Sequence, residues 1–514
     1  MSASPNGDHT RDTTMVSVMS ADTMMASPVS PTSSAITKAS SQDSKTAAMP
    51  GILPPSHPFR TLVLCFDGTG DQFDSDNSNI VQFFTALKKD DSGQQMVYYQ
   101  AGIGTYTSPE IATPGMAKFS KTVDMAIAWY LDAHVMGGYE FLMQNYNVGD
   151  RICIFGFSRG AYTARSLAGM VHKVGVLPAC NHQQVPFAYK MYSRNDDLGH
   201  KQAAAFKAAF SVTANIEIVG VFDTVNSVGL FPNRLPFTTS NTTVKTFRHA
   251  LSLDEHRAKF KANLWNPPAD HRAKREEATA THSRKHSYTN PFHRTSREKL
   301  EDRYYKAPDA ITDIEEVWFS GCHCDVGGGS VSNEETTNLA RIPLRWMIRE
   351  CFKTNTGILF HADCLSSLGL NPDALWPEVH PRPPPLSVSG VHIKPIPRSS
   401  APTSGTATQS SVFKTEEELE LEDAMSPIYD QLKLVLPWWI LEFIPVKNKY
   451  HNGKGSHKTE IGLNLGRARK IPRQKANGVK VHRSVKMRMD AGYEDGKKYT
   501  PRAKFDFKHV TWVD

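Results

Sequence analysis

One short stretch has residue types and spacing that could activate a hydroxyl, Gly156-Phe157-Ser158-Arg159-Gly160. Glycines on either side of a serine suit a tight strand-to-helix turn, because small neighbours relieve crowding and lift Ser158 Oγ clear of the backbone. The flanks fit that geometry. RICIF (151–155) is a short apolar run of the kind buried in a parallel sheet, and AYTARSLAGMVHKV (161–174) has helical spacing. The backbone N–H of Arg159, at the start of that helix, is then placed to be one oxyanion donor.

A serine nucleophile needs a base, and the base needs a carboxylate to orient it. Two later strand ends supply candidates in the chain order of an α/β-hydrolase, serine then acid then histidine. Asp223 follows the run IEIVGVF (216–222), and His323 lies just beyond VWF (317–319). The glycines Gly327 to Gly329 are expected to form a loop loose enough for the ring to reach a neighbouring strand end. Asp325, two residues from His323, is the alternative acid. His249 and His256 fall in FRHALSLDEHRAKF (247–260), which reads as helical and assigns them surface or structural roles. The turn Asp67-Gly68-Thr69-Gly70 is the natural source of a second oxyanion N–H, from Gly68 or Thr69. It lacks the lysine of a nucleotide-binding P-loop, which argues against an NTPase. Cys322-x-Cys324 is tighter than a zinc knuckle and has no second ligand pair, so no metal is expected. Ester hydrolysis by such a triad needs no cofactor.

The elements that must position these residues alternate. Strands are predicted at 61–66, 96–100, 151–155, 216–222 and 317–319. Helices are predicted at 79–88, 123–146, with a weak point at Gly137-Gly138, and from just after Ser158 to 174. That alternation predicts an α/β-hydrolase fold, a mostly parallel sheet flanked by helices with its active site at the carboxyl ends of the strands.

Composition divides the rest of the 514 residues, of which 39% are hydrophobic and 22% charged. Residues 1–57, rich in Ser, Thr, Ala, Met and Pro, are expected to be a disordered tail. Residues 266–306 read as a polar insertion and 377–425 as a low-complexity linker, closing on an acidic run, Glu416–Asp423, that reads as the start of a short helix or, in preference, as a solvated face. The catalytic domain is then 58–376, and 426–514 is a basic C-terminal extension packing on it. The formal net charge of +7 is localised, with 446–514 alone carrying +12. No zinc finger, recognition helix or aromatic stacking series accompanies it, so nucleic-acid binding is not expected. The apolar segment 432–445 holds Trp438 and Trp439 beside this basic tail and is too short to span a bilayer. It either covers the core or makes peripheral contact with an anionic membrane surface. Without a membrane span, a signal peptide or a cysteine framework, an intracellular and cytoplasmic location is expected.

Five blocks, DGTG (67–70), GDRICIFGFSRGAYTARSLAGM (149–170), VFDTV (221–225), RHALSLDE (248–255) and WFSGCHCDVGGG (318–329), together carry a resemblance. From about Phe59 to Cys351, outside 266–306, the chain resembles the α/β-hydrolase family whose best-understood members are bacterial type VI secretion phospholipase effectors. The later blocks 430–445 and 481–489 look like the extension of its fungal members. This resemblance implies a serine esterase or lipase with Ser158 as nucleophile, Asp223 as acid and His323 as base, acting on ester or phospholipid substrates. In place of the family's usual DGTxN turn, Asp71 and Gln72 follow Gly70. The competing readings are a catalytically silent α/β-hydrolase used as an interaction scaffold, and a small-ester carboxylesterase without lipid specificity.

Overall fold

Eight short runs rich in aliphatic and β-branched residues assemble into one sheet. They are β1 (Thr61–Phe66), β2 (Gln95–Gln100), β3 (Arg151–Phe157), β4 (Ile216–Phe222), β5 (Val244–Ser252), β6 (Asp313–Phe319), β7 (Val479–His482) and β8 (Val510–Val513). This computed structural model describes residues 49–69, 71–102, 116–225, 235–265, 300–301, 311–396, 414–451, 457–472 and 474–514. The expected tail up to residue 48, most of the 266–306 insertion, residues 397–413 of the linker and Gly70 lie outside the described residues.

The strand order is β8-β7-β6-β5-β4-β3-β1-β2, and every neighbouring pair is parallel. Such a sheet buries both faces, which is why TLVLCF in β1 is apolar almost throughout and buried at every position. Val63 and Cys65 join one core with Phe155 and Phe222, while Leu62, Leu64 and Phe66 join the other with Ile154 and Val219. The helix Asn79–Ala86, which follows β1, packs into the first core through Ile80 and Phe83. The helix Ser158–Val174, which follows β3, packs into the second through Ala161 and Leu167. Strand order therefore reverses between β1 and β3, and their connections leave on opposite faces. The carboxyl ends of those two strands, which lead into Asp67 and Ser158, are where such a fold places its ligands.

Three expectations are corrected. The helix Met116–Asn145 runs through Gly137-Gly138 without a break. A Cβ on Gly138 would stand 2.5 Å from Phe66 Cζ and 3.0 Å from Leu167 Cδ2, so the glycine permits close packing rather than weakening the helix. The segment read as helical around His249 is β5, paired on both sides. Phe247, Ala250 and Leu251 mimic helical spacing, and the true period is hidden because Arg248 and His249 are also buried. Arg248 Nε lies 2.6 Å from Glu350 Oε2, and His249 Nδ1 lies 3.1 Å from Glu316 Oε1.

The acidic run is the third. It forms the helix Glu416–Ala424, opened by a Thr415/Glu418 capping box, and three of its carboxylates are buried. Glu416, Glu420 and Asp423 fall on one face at spacings of four and three. Arg349 Nη2 donates to Glu416 Oε2 at 2.8 Å and Arg345 Nη2 to Asp423 Oδ2 at 2.6 Å. Glu420 takes Arg382 Nη1 at 3.0 Å and Arg483 Nη2 at 2.5 Å. Burial pushes the Glu420 carboxyl up, but His482, Arg382 and Arg483 outweigh it and hold the group down to about 2. Among the described residues no helix is long and apolar enough to cross a membrane.

Removing one partner of a buried ion pair strands the others. Glu420→Ala is expected to destabilise the folded chain by about 3–5 kcal/mol, read as a lowered urea midpoint. An unchanged midpoint would contradict a stabilising role for the ion pairs of Glu420.

Candidate active site

Ser158 stands at the junction of β3 and its helix with φ of 57°, the left-handed region that a residue with a Cβ enters only under strain. Close backbone contacts demand both flanking glycines. A Cβ on Gly156 would come within 2.5 Å of Gly160 O, and one on Gly160 within 2.3 Å of both Phe66 O and Asp67 O. The turn that carries the serine is thus packed against the end of β1 and tolerates nothing larger than glycine at either flank. Asp223, one residue beyond β4, is also left-handed, with φ of 40°. Its N–H donates to Ala250 O at 2.8 Å, which locks the strand end to β5. His323 opens the five-residue helix His323–Gly327 just after β6.

These three side chains meet in one line. His323 Nε2 lies 2.7 Å from Ser158 Oγ, and His323 Nδ1 lies 2.6 Å from Asp223 Oδ2. With Nδ1–H donating to the carboxylate, the Nε2 lone pair faces the serine hydroxyl. All three residues are buried. The imidazole is held between aromatic rings, with Phe157 at 4.7 Å and Phe260 edge-on at 4.9 Å between centroids. Burial lowers the His323 pKa from the ordinary 6.5, and the Asp223 hydrogen bond only partly offsets it. For Asp223, burial pushes upward, but Arg469 and then the His323 hydrogen bond hold the carboxyl well below the usual range.

The loop after β1 is organised by Asp67. Its Oδ1 accepts Gly68 N–H at 2.8 Å and Ser78 Oγ–H at 2.6 Å, and its Oδ2 accepts Tyr99 O–H at 2.7 Å. Of the two early-loop donors expected from sequence, Gly68 is therefore already engaged, and Thr69 is the better candidate. Arg159 Nε donates to Thr69 Oγ1, joining the nucleophile turn to this loop. Burial, reinforced by Asp67, Asp74 and Asp76, pushes the Asp71 carboxyl up to about 8 despite Arg159.

Other candidates lie elsewhere. Asp325 is off the imidazole: its Oδ2 accepts Cys322 N–H at 2.8 Å and Tyr429 N–H at 3.1 Å, bracing the turn that carries His323. His249 Nε2 accepts Thr224 N–H at 3.1 Å, and His256 Nε2 pairs with Asp430 Oδ1 at 2.8 Å. The glycine run is tight rather than loose, since a Cβ on Gly327 would stand 1.8 Å from the Phe157 ring. Among the described residues no group of three or more His, Cys, Asp or Glu side chains is arranged to hold a metal ion.

Two features of the site escape sequence reasoning. Arg469, 246 residues from Asp223 in the chain, forms a fork on its carboxylate. No local motif marks it among the other cations of the tail. Phe260, which touches His323, packs at 5.6 Å against Trp438 of the helix Trp438–Glu442, with the Arg257 guanidinium over both rings. The paired tryptophans were a cue to that segment but not to its place beside the imidazole.

Comparison with known proteins places this geometry in context. An uncharacterised protein of Saccharomyces cerevisiae, YEL023C, is 28% identical over 543 residues, covering 84% of this chain and 79% of its own. A solved structure, described as an uncharacterised protein from Pseudomonas aeruginosa, aligns at 17% identity with a TM-score of 0.32 over 62% of this chain. The chain spans about half of that protein, 49%. The catalytic-domain profile of the type VI secretion system Tle1-like phospholipase effectors matches residues 60–350. That match covers more than half of the chain, and the chain belongs to the Tle1-like phospholipase effector catalytic-domain family.

Proposed function

We propose that this chain is a serine hydrolase of carboxylic esters, acting on lipid or phospholipid esters through Ser158, His323 and Asp223. The hydrogen-bonded line from Asp223 through His323 to Ser158, at 2.6 and 2.7 Å, carries the reading. Its place at the carboxyl ends of parallel strands, where α/β folds put their ligands, adds support. On this reading residues 58–376 and 426–514 act as one catalytic unit, since β7 and β8 extend the sheet of the first segment.

In the first half-reaction His323 Nε2 takes the Ser158 proton as Oγ bonds to the ester carbonyl carbon. The carbonyl electron pair moves onto oxygen, where the N–H groups of Arg159 and Thr69 receive it. Collapse breaks the bond to the alcohol oxygen, which leaves with the proton from His323 and strands the acyl group on Ser158. Water repeats the sequence on the acyl-enzyme, and a carboxylic acid departs. Asp223 keeps the proton on Nδ1 and stabilises the imidazolium formed at each attack.

Lipid as the substrate class rests on family membership and on a surface beside the site. The segment after Asp430 buries Leu432 but turns other apolar side chains outward: Leu436, Ile440 and Phe443 are 72%, 64% and 61% exposed. Trp438 in the same segment packs inward toward Phe260 and the imidazole. The chain that follows is basic in sequence, with residues 446–514 carrying a net +12. An apolar ridge next to added positive charge suits peripheral contact with an anionic lipid surface.

Two measurements test this. The full chain is expected to hydrolyse p-nitrophenyl butyrate and to release fatty acid from phosphatidylglycerol vesicles, and Ser158→Ala to lose at least about 10,000-fold in kcat. Equal turnover in both proteins, or none in the wild type, would sink the serine-hydrolase reading. Turnover of the small ester alone would leave a carboxylesterase and remove the lipid. For the surface, the double variant Leu436→Asp and Phe443→Asp is expected to bind phosphatidylglycerol vesicles about tenfold or more weakly in co-sedimentation, because each apolar side chain contributes about 1.5 kcal/mol or more when buried. Undiminished binding would remove this ridge as the contact.

A further inference from the structure

The carboxylate that faces His323 is also gripped from the other side. Arg469 Nη1 lies 2.5 Å from Asp223 Oδ1 and Nη2 lies 2.9 Å from Oδ2, a two-pronged contact matched to a carboxylate. The guanidinium is itself fixed: Nη1 donates to Ser252 Oγ at 2.7 Å, and Nε and Nη2 donate to Phe260 O at 2.9 and 2.6 Å. Ser252 N–H supplies Asp223 Oδ1 with a further bond at 3.0 Å. Each carboxylate oxygen thus has two donors, and one of the four is the His323 ring. Both Asp223 and Arg469 are buried, so the charge on Asp223 is kept by this contact rather than by water.

We propose that Arg469 is the positioning residue of the triad: it keeps Asp223 ionised and aimed at His323 Nδ1, and so makes the C-terminal segment a working part of the active site. The proposal rests on the serine-hydrolase reading. Arg469 lies outside residues 60–350, the span that matches the family profile, so the catalytic block borrows it from further along the chain. Phe260 links the clamp to the imidazole a second time, since its carbonyl anchors Arg469 while its ring packs on His323.

Other charged groups act on this pair. His249 on β5 faces Asp223, Glu255 and Arg257 in the turn after β5 face His323, and Lys261 faces Arg469. Glu255 and Arg257 are paired with each other at 2.8 Å, which leaves Arg469 as the cation in contact with Asp223. Taking Arg469 away leaves a buried carboxylate whose nearest way to neutrality is to share a proton with His323. The base then stays protonated to higher pH.

The test compares wild type, Ser158→Ala, Arg469→Gln and Arg469→Lys as full chains, by pH-rate profiles on p-nitrophenyl butyrate, with near-UV circular dichroism to confirm folding. Wild-type kcat/KM is expected to lose activity only below about pH 6.5. Arg469→Gln should move that acid limb up by about one pH unit or more, so its deficit is largest at low pH and shrinks as pH rises, with KM within about threefold. Arg469→Lys, which keeps the charge and loses the fork, should return the limb to its wild-type position while kcat stays about tenfold down. A folded Arg469→Gln with the wild-type kcat and limb would overturn the inference, as would a deficit equal at every pH. If Arg469→Gln does not fold, wild-type kcat in Arg469→Lys is the overturning result. An inactive wild type, or an active Ser158→Ala, would instead refute the underlying reading.

Discussion

A carboxylate sealed from water must be neutralised and hydrogen-bonded where it stands, and Asp223 is the point at which that requirement organises this protein. Its oxygens accept from β5 at Ser252, from the turn after β6 at His323, and from the C-terminal segment at Arg469. Three regions far apart in sequence are thereby tied to one strand end. Leaving any donor out would leave the charge under-compensated in a medium that cannot repair it.

The sheet supplies the rest of the geometry. Reversal of strand order between β1 and β3 brings the Asp67 loop and the Ser158 turn side by side. Backbone strain is stored there, with Ser158 and Asp223 both in the left-handed region and Gly156 and Gly160 in close contact with backbone atoms. Such strain persists only where the surroundings over-determine it, and two buried cores, one on each face of the sheet, do so here. The same logic recurs away from the site, where Glu416, Glu420 and Asp423 bind the helix Glu416–Ala424 to arginines of the catalytic block and of the C-terminal segment.

Local signals were legible in the sequence and long-range ones were not. The runs at 61–66, 151–155 and 216–222 announced buried strands because a parallel sheet needs apolar residues on both faces, and the glycines flanking Ser158 announced a tight turn because only small residues fit. β5 was misread because its polar positions are buried by partners, Glu350 for Arg248 and Glu316 for His249, which no pattern within the strand reveals. Composition likewise suggested a solvated acidic run. Ion pairing inverted that reading, and it also drew Arg469 and Arg483 of the basic extension into the interior, while backbone carbonyls hold the buried Arg488. A charge has no sequence signature for the partner that will bury it.

The most direct test of the central claim is covalent capture of the nucleophile. A fluorophosphonate reacts with an activated serine by forming an O–P bond and expelling fluoride, so intact-mass spectrometry counts the modified sites and peptide mapping locates them. The account predicts one adduct per chain, on Ser158, absent from Ser158→Ala. A wild-type chain that stays unlabelled, or a variant labelled to the same extent, would contradict it.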